Sequence, residues 1–152
     1  DNGNGSLMRI LPMLFVIKGK PIEEQFELVW ENSSLTHRHI RAGMCCMIYL
    51  KVAEYIISGK DKLAAYHLAQ KDIKALWKAI DFKLEEQKLF EKVIDHEIQK
   101  YPRSQIRSGG YVMESLECAL WCFLNNDSFQ YVVLAAVYMG TDTATNDASA
   151  RG

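Results

Sequence analysis

The chain has 152 residues, 49% of them hydrophobic and 24% charged, with 18 basic against 19 acidic side chains and a net charge of −1. That is room for a single domain, residues 1–152, with a real core, and the apolar fraction excludes disorder over most of its length. No sequence-wide field attracts nucleic acid, and Lys51, Glu54 and Lys60 interrupt the longest apolar stretch, so neither nucleic acid nor a membrane is expected as a partner.

The first residues, DNGNGSLMRILPM, set Asn2-Gly3 and Asn4-Gly5 ahead of Met8-Arg9 and an apolar run. Asn and Gly reach positive φ at low cost, so the dipeptides alone fit either a turn-rich leader or a binding loop. Pro21 and the acidic pair Glu23-Glu24 then open a helix with Ile22, Phe26, Val29 and Trp30 on one face, ending near Asn32-Ser33-Ser34. A longer helix follows Thr36, its expected cap, and repeats Met44, Met47, Ile48, Val52, Tyr55 and Ile56 until Ser58-Gly59 stops it. This is the expected central core helix. Asp61 can cap a third helix carrying Leu63, Tyr66, Ile73, Leu76 and Trp77, and one further helix carries Leu84, Phe90, Val93, Ile94 and Ile98.

The mixed Lys and Glu residues between positions 60 and 100 read as a solvated face. Tyr101-Pro102 breaks the helical pattern and Ser108-Gly109-Gly110 makes a loop before an apolar helix through Val112, Leu116, Ala119, Leu120 and Phe123. Asn126-Asp127-Ser128 then caps a last helix from Phe129 to about Met139, which Gly140 ends. Strand alternation is missing, so the expected fold class is all-α, a compact multi-helix bundle.

Cys45, Cys46, Cys118 and Cys122 lie within apolar helical patterns and without CxxC spacing, which points to reduced core thiols and a cytoplasmic location. His67 and His96 sit singly in amphipathic patterns. His37 and His39, in LTHRHIRA, supply two possible metal ligands and no third. The closing YMGTDTATNDASARG crowds Asp142, Thr143, Thr145 and Asp147 into a short stretch of hard oxygen donors suited to Mg²⁺ or Ca²⁺, although the same residues also read as a polar tail.

Three stretches resemble the ADP-ribosylglycohydrolase family, relatives of the dinitrogenase reductase-activating glycohydrolase: GNGSLMRILPM at 3–13, LTHRHIRAG at 35–43, and SGGYVMESLECALWCFLNNDSFQYVVLAAVYMGTDTAT at 108–145. The resemblance implies an all-α, Mg²⁺-dependent enzyme that cleaves the bond joining ADP-ribose to a protein side chain. It implies a substrate loop at Gly3, Asn4, Gly5 and Ser6 with Met8 behind it, cleft lining at His37 beside Thr36, and metal ligands at Asp142 and Thr145. Glycine backbone amides can approach a diphosphate closely, and Asn4 offers donor and acceptor to sugar hydroxyls. ADP-ribose or an ADP-ribosylated protein is therefore the expected partner.

Two departures qualify this expectation. The chain has no Asp-Asp pair of the kind the family carries in its leading segment, and Ala144 stands where the family's closing Gly-x-Asp-Thr-Asp-Thr has its second aspartate. The sequence reading therefore takes the chain as an incomplete bundle, truncated at its N-terminus and inactive alone. Its alternative is a non-enzymatic homologue that binds ADP-ribose or serves as a self-assembling scaffold. Core faces uncovered by truncation, on the central helix and on the LECALWCFL helix, are expected to make it a homo-oligomer or to call for a complementing chain.

Overall fold

The computed structural model describes residues 10–34 and 39–126. Among them are seven α-helices and no strand: α1 (Met13–Ile17), α2 (Ile22–Ser34), α3 (Ile40–Ile57), α4 (Lys62–Ala79), α5 (Leu84–Leu89), α6 (Glu91–Ile94) and α7 (Val112–Asn125). Two 3₁₀ turns, Ile98–Lys100 and Arg103–Gln105, lead from α6 toward α7. The all-α expectation holds for these residues. The expected last helix, from Phe129 to Met139, lies outside them.

Helix α3 is central because nothing polar interrupts its middle except Lys51. Every residue from Ala42 to Val52 is buried, and α2, α4 and α7 pack around it. A helix apolar on all sides must be enclosed in this way. At Gly43 the crossing with α2 is so close that a Cβ would stand 3.2 Å from Trp30 Cδ1. The other helices contribute one face each: Phe26 and Val29 from α2; Tyr66, Ile73, Leu76 and Trp77 from α4; Val112, Leu116, Leu120 and Phe123 from α7.

Local signals set the helix ends where the sequence marks them. Asp61 caps α4 by accepting from the Ala64 N–H at 2.8 Å. At the other end of α3, Gly59 takes φ +101°, and the Lys60 N–H reaches back to the Tyr55 carbonyl at 3.0 Å. Lys62, in the first turn of α4, donates to the Phe123 carbonyl at 3.2 Å and so ties α4 to the C-terminal turn of α7.

The structure corrects the sequence reading at four points. The single helix expected over Leu84 to Ile98 is broken into α5, α6 and a 3₁₀ turn, with Leu84 exposed. Beyond α6 the cause is tertiary: Tyr66 donates to the Val93 carbonyl at 2.5 Å and accepts from the Ile98 N–H at 3.1 Å. Gln70 donates to the carbonyls of Val93 and His96, each at 2.9 Å. Those backbone groups are thereby taken from a continued helix. His96 consequently lies in the bend after α6, bonded to the Tyr101 hydroxyl at 2.7 Å.

The cap of α3 is His39, not Thr36; its Nδ1 accepts from the Arg41 N–H at 3.1 Å. Lastly, the apolar faces of α3 and α7 are buried, and among the described residues the exposed large apolar side chains lie elsewhere: Phe15 and Val16 on α1, Trp30 on α2, Ile57 and Leu63 about the α3–α4 turn, and Leu84 and Leu89 on α5.

Candidate functional site

The residues that the sequence assigns to substrate and metal, Gly3, Asn4, Gly5, Ser6, Met8, His37, Asp142 and Thr145, all lie outside the described residues. The described chain resumes after the first group at Ile10, which is fully buried in the core, and after the second at His39, at the start of α3.

The start of α3 is a built polar cluster. His39 caps the Arg41 amide through Nδ1, and its own carbonyl accepts from the amides of Ala42 and Gly43 at 3.1 and 3.3 Å. The Arg41 guanidinium forks onto Glu86 of α5, Nε to Oε1 at 2.8 Å and Nη2 to Oε2 at 3.0 Å. This bidentate geometry is the strongest form of an arginine–carboxylate pair. The hydrogen bond to Glu86, with a smaller contribution from Tyr111, raises the Arg41 pKa, and the same bond holds the Glu86 carboxyl below its ordinary range. Both groups stay charged near neutral pH, and the fork ties the first turn of α3 to α5.

A second constellation surrounds Lys51, which is only 5% exposed. Its ammonium donates to Glu54 Oε1 at 2.6 Å and Gln25 Oε1 at 3.3 Å, and lies 3.6 Å from Asp72 Oδ2. Asp72 also accepts from the Tyr55 hydroxyl, and Gln25 donates to the Lys20 carbonyl at 2.9 Å. This cluster joins α2, α3 and α4, and its donors and acceptors are committed to one another. The sequence reading saw Lys51 only as an interruption. The missed signal was a Lys amid an unbroken apolar run, with Glu54 three residues on, which requires a paired ammonium.

Polar side chains also line a shallow groove formed by Lys92, Ser104, Gln105, Arg107, Glu114 and Glu117. Burial there raises the Glu117 carboxyl, opposed by Lys92 and reinforced by Glu114. The four cysteines are free thiols; Cys45 and Cys46 are buried, Cys118 and Cys122 half-buried. Burial pushes the Cys45 thiol up, and the hydrogen bond with Cys122, ahead of burial, does so for Cys118, so neither is an activated nucleophile. His67 pairs with Glu97 at 2.7 Å at the surface.

Among the described residues no group of three His, Cys, Asp or Glu side chains could hold a metal ion, and no helix is long and apolar enough to cross a membrane. In the closing stretch the hard-oxygen ligands implied by the family pattern are one carboxylate, Asp142, and one hydroxyl, Thr145, with a methyl at Ala144 between them. That pair fills only two positions of a near-octahedral Mg²⁺ shell, so holding the ion tightly requires further oxygen ligands besides water.

The ADP-ribosylglycohydrolase family profile matches residues 1–150. The chain is 28% identical over 148 residues to the ADP-ribosylarginine hydrolase Tri1 of Pseudomonas putida, covering 97% of this chain and 36% of that protein. It is 25% identical over 142 residues to the Tri1 protein of Serratia proteamaculans, covering 92% of this chain and 34% of the relative. Against the ADP-ribosyl-dinitrogen reductase glycohydrolase of Rhodospirillum rubrum it is 22% identical over 150 residues, 99% of this chain and 44% of the relative. The chain thus spans between about a third and under half of the length of these relatives. No solved structure matches it significantly.

Proposed function

Since the chain belongs to the ADP-ribosylglycohydrolase family, we propose that it carries part of a substrate site for the ADP-ribosyl group of a modified protein, with ADP-ribosylarginine as the favoured linkage. The observation that carries this reading is the family match over residues 1–150, supported by relatives named as ADP-ribosylarginine hydrolases that align with nearly the whole chain. In this reading Gly3, Asn4, Gly5 and Ser6 receive the diphosphate and ribose, Met8 packs behind them, and His37 lines the cleft. Asp142 and Thr145 are the share of a Mg²⁺ site that this chain supplies, and hydrolysis requires further carboxylate ligands.

A second reading is favoured by one residue. Ala144 removes a carboxylate from the closing motif, which fits a homologue that binds ADP-ribose or serves as a helical scaffold without cleaving anything. An ADP-ribosyl site and a bare scaffold separate in one pair of assays, ADP-ribose binding and release of ADP-ribose from ADP-ribosylarginine protein in Mg²⁺. The proposed function predicts binding that Asn4→Ala weakens at least tenfold, while helicity is unchanged, and no hydrolysis by the chain alone or by Ala144→Asp. Absence of binding overturns the ADP-ribosyl reading in favour of the scaffold. Hydrolysis by Ala144→Asp overturns the claim that further ligands are required.

A further inference from the structure

Cys118 and Cys122 are one helical turn apart on α7, which sets both side chains on the same face of the helix. Both are half-buried, and their thiols share a hydrogen bond. Neither belongs to the proposed substrate loop or to the closing motif. Thiols so placed cannot close into a disulfide on an intact helix. Cβ atoms at this spacing stand about 5–6 Å apart, whereas a disulfide draws them to about 3.5–4.5 Å. An atom set between the two sulfurs widens the span, so the pair can share a bridging ion where it cannot bond to itself.

Sulfur selects the ion. Thiolates favour soft cations over Mg²⁺ or Ca²⁺. Zn²⁺ asks for a larger ligand set, and among the described residues no third His, Cys, Asp or Glu side chain completes one. Monovalent copper is soft and is satisfied by a pair of thiolates. The resulting complex carries a negative charge, and Arg103 supplies the compensating cation. Its guanidinium lies 5.8 Å from the centre of the Trp121 ring, donates through Nη1 to the Ile106 carbonyl at 2.6 Å, and favours the anionic form of Cys118.

The other cysteines do not form an equivalent pair. Cys45 and Cys46 are neighbours in sequence, so their side chains diverge around α3, and both are fully buried. The Cys45 thiol is engaged with Met113 Sδ at 3.4 Å.

We propose that Cys118 and Cys122 form a two-coordinate site for Cu(I) on α7. Binding exchanges each S–H bond for an S–Cu bond and releases a proton from each thiol to solvent. Copper stays monovalent throughout, so neither oxidant nor reductant takes part. Until the ion displaces it, the proton on Cys118 is retained by the hydrogen bond with Cys122 and by burial.

The test is an anaerobic titration of the reduced, intact chain with Cu(I) against a chromophoric Cu(I) chelator. The expected result is a single ion retained per chain, with thiolate-to-copper absorption in the ultraviolet and acid released in step. Cys118→Ser and Cys122→Ser should each weaken retention by roughly a hundredfold, since loss of one arm forfeits the chelate. Cys45→Ala should keep it. Far-UV circular dichroism checks that the variants remain helical, and alanine at position 118 or 122 carries the same expectation where serine disturbs the helix. No retention against the chelator, retention at wild-type strength in a helical variant lacking either thiol, or loss of retention in helical Cys45→Ala overturns the proposal.

Discussion

At single residues the clearest energetics come from groups that nothing else can replace. Gly59 has φ +101° in the turn that ends α3, a conformation a Cβ resists, so Gly59→Ala should cost about 1–2 kcal/mol in urea unfolding. An unchanged midpoint would show that the turn relaxes freely. Tyr66 is the hinge on which the α6 region is folded, accepting from the Ile98 N–H and donating to the Val93 carbonyl. Tyr66→Phe keeps the ring, takes from the Ile98 N–H its acceptor and leaves the Val93 carbonyl with Gln70 as donor, for an expected loss of about 1–3 kcal/mol. The Gly59 stop was readable from the sequence, whereas the Tyr66 role was not. Tyr66 was visible as one apolar tooth of α4, but its hydroxyl partners lie about thirty residues downstream, beyond the reach of any local pattern.

Among the elements, those with a written punctuation mark were legible. Pro21, Asp61 and Ser58-Gly59 begin or end helices by chemistry contained within one turn, and the helices begin or end there. The end of α6 was not legible, because the apolar spacing of Leu84, Phe90, Val93, Ile94 and Ile98 suits a helix, and tertiary hydrogen bonds from Tyr66 and Gln70 decide otherwise. The fork between α3 and α5 was equally hidden, since Arg41 and Glu86 are 45 residues apart.

That fork has a pH signature. The folded state holds the Glu86 carboxyl below its unfolded value, so its stabilisation is complete above the ordinary glutamate range and is lost as pH falls through the lowered value. Arg41 stays charged throughout. Glu86→Gln should therefore lose about 1–2 kcal/mol at neutral pH, and its gap from wild type should close below about pH 4 in a series of urea titrations. A gap independent of pH would mean that the pair acts by packing alone.

At the scale of the molecule, the described residues bury the apolar faces of α3 and α7 and leave large apolar side chains such as Phe15, Val16, Ile57, Leu84 and Leu89 exposed. Self-association through these side chains is the expected outcome in sedimentation velocity, and Phe15→Asp should shift the distribution toward monomer. Monomers at every concentration would contradict it. The family itself was legible because three motifs in order, at 3–13, 35–43 and 108–145, carry it, and the match over residues 1–150 agrees. What a sequence alone conveys less well is the state of the site, since a scaffold can outlast its ligands and Ala144 leaves that question to measurement.

The measurement that bears most directly on the ADP-ribosyl reading is calorimetric titration of the intact chain with ADP-ribose, with and without Mg²⁺. Saturable binding that Mg²⁺ does not strengthen is the expected result, because Asp142 and Thr145 alone are too few ligands for the ion. No heat of binding in either condition would contradict the substrate site, and binding that appears only with Mg²⁺ would contradict the ligand argument.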